Sequence, residues 1–462
     1  MTTMKSEVVD GFRAALRGPV LLPGDPDYDA ARMVWNAMIE RRPALIARCC
    51  GTADVMTALS FARMHGLPLA VRGGGHNIAG NAVCDDGLVI DLSLMRSVHV
   101  DPEARLATAE GGALLSDLDH ETQAFGLAVP LGINSTTGVA GLTLGGGFGW
   151  LSRAYGLAVD NLVGAEIVTA DGQRRRIGPR QEPDLFWAIR GGGGNYGVVT
   201  RFEYALHEVG PVVSAGLVVF PATEGREVMR RYRDLAGTLP DEVSIWAVLR
   251  KAPPLPFLPP EVHGSDMVAL ALCSPLPLEA VEPFVDMVRG FGTVLGEHVG
   301  PMPYTAWQKA FDPLLAPGAR NYWKSHNFTQ LSDDALDVVL RYAASVPSPH
   351  CEIFLALIGG RANEPAPDAT AYPHRDIQFA MNVHGRWTEA ADDARCMAWA
   401  REFFAAAAPH AAGSVYINFL TQDEGSRIRE AYGGNYDRLV AVKQRYDPDN
   451  LFCFNHNIRP DS

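Results

Sequence analysis

No CxxC pair occurs in this chain, and its seven cysteines are an odd number without zinc-like spacing. A protein of this size also has no need of disulfide staples, so the cysteines read as reduced and mostly buried. Its thirteen histidines form no HExxH. Neither GxxxxGK[ST] nor GxSxG occurs, which removes the starting points for a metalloprotease, a P-loop enzyme and a nucleophile-elbow hydrolase. No metal is expected. No apolar run approaches the ~20 residues that cross a bilayer, so no membrane contact is expected either. The opening stretch Met1-Thr2-Thr3-Met4-Lys5-Ser6-Glu7 leads into an amphipathic segment without the apolar core of a secretory leader, and a cytoplasmic location follows as the expectation. Lysine and arginine number 40 against 53 acidic residues, a net charge of -13 that repels phosphate backbones. Arg174-Arg175-Arg176 reads as a solvated hairpin edge, so no nucleic-acid partner is expected.

Glycine, by contrast, is plentiful and gathered into three clusters. The first follows a short apolar strand, 69–71, in Val71-Arg72-Gly73-Gly74-Gly75-His76-Asn77-Ile78-Ala79-Gly80-Asn81. Glycines there can hold φ > 0 and let a ligand approach the main chain, and successive N–H groups can form a concavity for a pyrophosphate. Taken alone, a glycine triplet is also ordinary turn punctuation. The second cluster, from Pro130 to Trp150, has six glycines between 138 and 149. Such a segment makes no stable free-standing helix or strand; it suits a main chain lying against a flat or anionic ligand. The third, Gly191 to Gly197, contains a literal GxGxxG from Gly192. A dinucleotide fingerprint must follow a strand and open a helix; this one follows a helical pattern and opens a strand, so the Rossmann reading is rejected.

Periodicity predicts helices over 8–17, 28–39 and 52–65, strands over 44–48, 88–91, 106–110, 165–169 and 198–204, and a compact α+β lobe around them. From 206 to 410 apolar strands (213–220, 243–249, 267–272, 353–358, 379–383) alternate with helical segments (227–236, 278–290, 334–345), which predicts an antiparallel sheet backed by helices. A strand over 414–420 would place Tyr416 and Asn418 on one side, Ile417 and Phe419 on the other.

Jointly, RGGGHNIAGN at 72–81, GVAGLTLGGGFGW at 138–150, YGLAVDN at 155–161 and NYDRLVAVKQRYDPDNLF at 435–452 resemble the FAD-linked oxidases of the berberine bridge enzyme type, within the vanillyl alcohol oxidase / p-cresol methylhydroxylase superfamily. The resemblance spans nearly the whole chain. It implies a two-part FAD-binding domain, 1–205 plus 411–462, and a substrate-binding domain at 206–410. It further implies removal of hydride from a C–H next to N or O of a small organic substrate, with electrons passing to O2 to give H2O2. A dehydrogenase with another acceptor, or a flavin-binding carrier without turnover, is the alternative. A monomer or homodimer is expected.

The same resemblance implies FAD linked covalently through His76, and through His76 alone, since Asn134 stands where many members carry a second linking cysteine. The other cofactor contacts it implies are Val71, Arg72, Gly73, Gly74, Gly75, Asn77, Gly80 and Asn81, then Leu92. From the second cluster come Pro130, Gly132, Thr136, Thr137, Gly138, Gly141, Leu142, Gly145, Gly146, Gly147 and Gly149. Tyr155, Gly156, Asn161, Ile167, Val168, Asn418 and Asn455 complete the set. Bottom-up, the glycine turns offer N–H donors and the two threonines offer hydroxyls.

Departures from the family pattern bear on mechanism. A base tyrosine of plant relatives is replaced by Phe419, and a base glutamate before the tryptophan matching Trp387 is replaced by Ala380. A hydroxyl must lose a proton as hydride leaves, whereas a neutral amine need not, so base loss tilts toward amine-like donors. Alternatively the base has moved. Candidate catalytic residues are Glu352, Tyr322, Asn382 and Tyr416, with Lys324, Gln378 and His384 also on presumed strands; which strand face meets the flavin is not legible from periodicity.

Overall fold

In a computed structural model, which describes residues 5–461, the helix Ser6–Ala15 precedes a short edge strand, β1 (Val20–Leu21). Strands β2 (Leu45–Arg48), β3 (Leu69–Arg72) and β4 (Leu88–Asp91) follow, giving a four-stranded sheet of order β1-β2-β4-β3 in which β2 and β3 both run parallel to β4. Parallel neighbours need a crossover. The helix Thr52–His65 supplies it, burying Val55, Leu59 and Ala62 and stopping at Gly66 in the left-handed region, φ 60.

The second sheet is built from β5 (Val98–Asp101), β6 (Leu106–Glu110), β8 (Leu162–Val168), β9 (Arg174–Ile177) and β10 (Val198–Ala205), while β7 (Leu127–Ala128) pairs with β11 (His207–Glu208). The Arg174–Arg176 run lies on β9 at the edge of this sheet, with Arg174 paired to Glu166 and Arg176 to Glu203.

Seven strands make the third sheet: β12 (Val212–Pro221), β13 (Ser244–Lys251), β14 (Asp266–Ser274), β15 (Gly296–Pro303), β16 (Arg320–Phe328), β17 (Glu352–Leu357) and β18 (Phe379–Trp387). They run antiparallel in the order β15-β12-β14-β13-β17-β18-β16. Helices Gly225–Ala236, Leu278–Arg289, Asp333–Ala343 and Asp393–Ala407 pack against it. Side chains alternate between faces, so the sheet has a helix-backed side and a side left for the glycine turns. The whole is α+β: a lobe carrying the glycine clusters, with an antiparallel, helix-backed sheet beside it.

Two buried cations tie distant segments together. Lys443, on the helix Tyr436–Tyr446, donates to Asn195 O (2.8 Å), Phe452 O (2.9 Å) and Asp447 (2.6 Å), fastening the third glycine cluster to the tail. Arg375 forms a bidentate pair with Asp160 at 2.7 and 2.8 Å. Such pairs add little net stability but dictate which partners meet, because either charge left alone in the interior is costly.

Several local expectations are corrected. The helix expected over 28–39 ends at Arg32. Beyond it Trp35 N–H donates to Gly75 O (3.1 Å), and the Asn36 amide reaches both Ile78 O and Asn321 O; tertiary bonds outcompete helical ones there. The strand expected over 414–420 is a 3-10 turn, Ile417–Phe419, because the Asn418 amide folds back onto Leu142 O (3.1 Å) and the Tyr416 hydroxyl (2.8 Å). Strands β5 and β15 and the helix Asp393–Ala407 were not anticipated. Among the described residues no helix is long and apolar enough to cross a membrane, and no cluster of metal-ligating side chains occurs.

Candidate active site

One cavity of about 1770 Å³, its open mouth included, runs from the glycine turns to the free face of the seven-stranded sheet. Its first wall is the turn after β3, Gly73 to His76, lying against Gly138 and Ala140. The two turns touch backbone to backbone. A β carbon on Gly74 would overlap Gly138 N and lie 2.5 Å from Gly138 Cα. Gly74→Ala therefore forces the turns apart; we expect a loss of ~1–3 kcal/mol and a lower flavin content per chain, read by urea midpoint and visible absorbance. Gly141 and Gly194 are different: both line the cavity, and a β carbon on either meets no atom within 4 Å. These glycines leave open space rather than tight packing.

His76 stands at the junction. Its Nε2 lies 2.9 Å from Thr136 Oγ1 and its ring stacks on Trp35, centroids 5.1 Å apart. Removal from bulk water, with Arg386 nearby, lowers its pKa to about 3, so the imidazole is neutral at ordinary pH. The 134–137 turn is braced by Asp312, which accepts from the Ser135 N–H (3.0 Å) and hydroxyl (2.5 Å).

The opposite wall follows from strand register. Arg250 on β13 faces Glu352 on β17, Glu352 faces His384 on β18, and His384 faces Trp323 on β16. Directly opposed residues project from the same face, so the four side chains form one row, of which Glu352, His384 and Trp323 line the cavity and Arg250 stands behind Glu352. Arg250 Nη1 donates to Glu352 Oε2 at 2.5 Å, and His384 Nδ1 lies 3.2 Å from Oε1. Burial alone would raise the Glu352 pKa; Arg250 and His384 outweigh it and hold the carboxyl at about 2. Around this polar row stand Trp35, Trp246, Trp323, Phe354 and Phe419.

The cavity lining includes much of what the sequence suggested: Val71, Gly73, Gly74, Gly75, His76, Asn77, Asn81, Leu92, Gly132, Asn134, Thr137, Gly138, Gly141, Leu142, Asn418, Asn455, and on the sheet side Glu352, His384, Tyr416 and Phe419. Other positions lie behind it. Thr136 acts on His76 rather than lining the space. Arg72 turns its guanidinium to Ala31 O. Gly80 packs on Ile39, Gly145 on Asn418, Gly146 on Tyr372, Gly147 on Ala158 and Gly149 on Leu131, so they and buried Pro130 shape the turns without facing the cavity. Tyr155 stacks on His207 at 4.2 Å, and the Asn161 amide ties Tyr155 O to Leu157 O at 2.9 Å each, bracing the chain around Gly156. Ile167 and Val168 back Gly197.

Two of the four catalytic candidates are not brought to the cavity. The Tyr322 hydroxyl is on the helix-backed face, 2.6 Å from Asp423 and 2.9 Å from Arg401 Nε, and Lys324 beside it pairs with Asp423 and Glu424. Asn382 shares the face of His384 but is fully buried between Phe354 and Ser325 by register, outside the cavity lining. Gln378 is likewise outside it. Tyr416 does reach the cavity, but its hydroxyl accepts from Gly147 N–H (3.1 Å) and Asn418, and burial pushes its pKa up to about 12. It is a neutral phenol rather than a base.

Sequence reasoning overlooked Trp35, Gly194, Gly197, Trp246, Trp323, Phe354, Phe452 and His456 as cavity residues. The third glycine cluster lacks the strand-then-helix setting of a dinucleotide fingerprint, yet Gly194 and Gly197 line the cavity. The alternation Phe452-Cys453-Phe454-Asn455-His456 was a signal for the tail.

The residues suit a flavin dinucleotide. The buried Asn455 Oδ1 and His456 Nε2 belong to residues lining the cavity and have no hydrogen-bond partner among the described residues, at the end where glycines leave open space. An elongated cavity with polar atoms at one end and a neutral imidazole facing an aromatic, ionised row at the other defines a flavin-dependent oxidoreductase. Comparison with known proteins agrees. Residues 43–178 match the model of an FAD binding domain and residues 415–459 that of the berberine and berberine-like proteins. The chain is 31% identical over 470 residues to (R)-6-hydroxynicotine oxidase of Paenarthrobacter nicotinovorans, covering 97% of this chain and 98% of that protein. It is 30% identical over 460 residues to an FAD-linked oxidoreductase of Dictyostelium discoideum, covering 98% and 97%. The crystal structure of 6-hydroxy-D-nicotine oxidase from Arthrobacter nicotinovorans superposes with a TM-score of 0.86 at 29% identity, covering 96% of this chain and 98% of the other. The chain belongs to the berberine-like FAD-linked oxidoreductases, enzymes that use FAD to oxidise organic substrates.

Proposed function

We propose that this enzyme oxidises a small amine- or alcohol-bearing organic molecule at a C–H next to N or O, with FAD held covalently by His76 alone and O2 as the electron acceptor. Residues 1–205 and 411–462 form the FAD-binding lobe in this reading, and 206–410 carries the substrate site. The single supporting observation is the shared cavity: the His76 turn and the Glu352–His384 row face one space, with the Trp35 ring 5.1 Å from His76 and 6.4 Å from His384.

FAD, when bound, supplies the ring that accepts hydride; the chain supplies position and charge. Asn455, His456 and the glycine turns would hold the nucleotide, and Tyr416 and Asn418 would border the ring. Trp35, Trp246, Trp323, Phe354 and Phe419 exclude water and stack on a planar substrate. Glu352, ionised down to about pH 2, accepts a hydrogen bond from a substrate N–H or O–H and orients the adjacent C–H. A carboxylate of that strength takes up a proton poorly near pH 7. A neutral amine, which can release hydride without prior deprotonation, therefore fits this site better than an alcohol. A cytoplasmic monomer or homodimer is part of the proposal; the seven unpaired cysteines support a reducing compartment.

Anaerobic mixing with a panel of secondary amines, tertiary amines and benzylic alcohols should bleach the flavin band near ~450 nm, the oxidised-ring absorption of this cofactor, with amines the faster class. Admitting air should restore the band within seconds and yield H2O2. Slow recovery in air, with fast recovery by an added quinone, would replace O2 with another acceptor.

A further inference from the structure

Three hydrogen bonds around His76 determine which of its ring nitrogens carries the proton. Asn134 Oδ1 accepts from the Thr136 backbone N–H at 3.0 Å. An amide nitrogen accepts no hydrogen bond, so the oxygen end of Asn134 is set on this side. The same oxygen lies 2.7 Å from Thr136 Oγ1. A carbonyl oxygen offers no proton, so the Thr136 hydroxyl points its hydrogen at Asn134. With that hydrogen committed, Thr136 Oγ1 can only accept from His76 Nε2, 2.9 Å away. Nε2 must therefore be the protonated nitrogen. A neutral imidazole has one N–H, which leaves Nδ1 with a bare lone pair. No other described residue hydrogen-bonds Nδ1, and the stacked Trp35 ring holds the imidazole plane in place.

We propose that Asn134 and Thr136 are positioning residues for flavin attachment: through the Asn134–Thr136–His76 relay they fix the His76 tautomer that presents Nδ1 to the flavin 8α-methyl. This rests on the covalent reading above. It gives the residue standing at the second-link position a task of its own, orienting the first link. Attachment forms one bond, Nδ1 to the 8α carbon, and breaks one methyl C–H bond. The C–H proton leaves to solvent, and the electron pair of that bond passes to the flavin ring and from there to O2, the oxidant. The linked ring keeps its Nε2 proton, as a cation still donating to Thr136 Oγ1, until solvent removes it. In the opposite tautomer Nδ1 would carry hydrogen and offer no lone pair in the ring plane.

The test compares full-length wild type with Thr136→Val, Thr136→Ser and Asn134→Leu after equal incubation with excess FAD, reading flavin retained in the acid-precipitated pellet. Thr136→Val and Asn134→Leu should retain at least ~10-fold less, as for a reactive histidine held in the wrong tautomer, while still binding FAD reversibly as yellow, folded protein. Thr136→Ser should match wild type. In wild type, NMR of the isolated flavin peptide should show the 8α carbon on Nδ1. Wild-type loading in Thr136→Val, or an Nε2 linkage in wild type, overturns the relay while leaving the covalent link intact. A wild-type pellet without flavin overturns both.

Discussion

His76→Ala protein precipitated in acid is expected to give a colourless pellet and a yellow supernatant, whereas wild type keeps its flavin in the pellet. The expectation follows from placement and charge. His76 is at the end of the β3 turn, lines the cavity, and is neutral because its surroundings hold the pKa near 3. An imidazolium is no nucleophile; a neutral ring with a free nitrogen is. Alanine removes that nitrogen and the stacking partner of Trp35, yet the glycine turns and the Asn455–His456 end remain. FAD should therefore still bind, reversibly, and gel filtration should strip it. Acid-stable flavin in the variant would place the link elsewhere and reject His76 as the tether.

The second large effect is expected at Glu352. Glu352→Gln keeps the size of the side chain but removes its charge, leaving Arg250, 7% exposed, without its counter-ion. Loss of an oriented charged group in an active site costs ~10²–10³ in kcat/KM, most of it in the oxidation step if Glu352 aligns the C–H. The pH behaviour separates anchor from base. A carboxyl held near 2 stays ionised throughout pH 4–9, so wild type should show no activity limb from Glu352 in that window. The sign is that of a depressed acid: its contribution is complete above the usual carboxyl range and is lost as pH falls through about 2. A limb near neutrality that disappears in Glu352→Gln would make it a proton acceptor. A variant within twofold of wild type, with normal flavin content, would remove it from the mechanism.

The pattern of these residues explains what could be read from the chain alone. Short apolar strands bounded by glycine, such as 88–91 and 106–110, coincide with β4 and β6 because local periodicity and burial agree there. The segment after Arg32 and the 417–419 turn went astray for the opposite reason: the Asn36 and Asn418 side chains bond to groups far away in sequence, and no local pattern encodes those partners. Gly194 and Gly197 were discounted because a strand follows them instead of a helix, although that arrangement still delivers their backbone to the cavity.

By itself the sequence pointed to the class of protein: three glycine clusters of the kind that suits a cofactor against main chain, and a histidine in the first of them. These are legible because they depend on residue type at short spacing. The tertiary structure alone decided which face of the seven-stranded sheet lines the cavity. Pairing of β13, β17, β18 and β16 across more than a hundred residues aligned Arg250, Glu352, His384 and Trp323 in one row and turned Tyr322 away. Register sets that choice, since a shift of one residue sends every side chain of a strand to the other face.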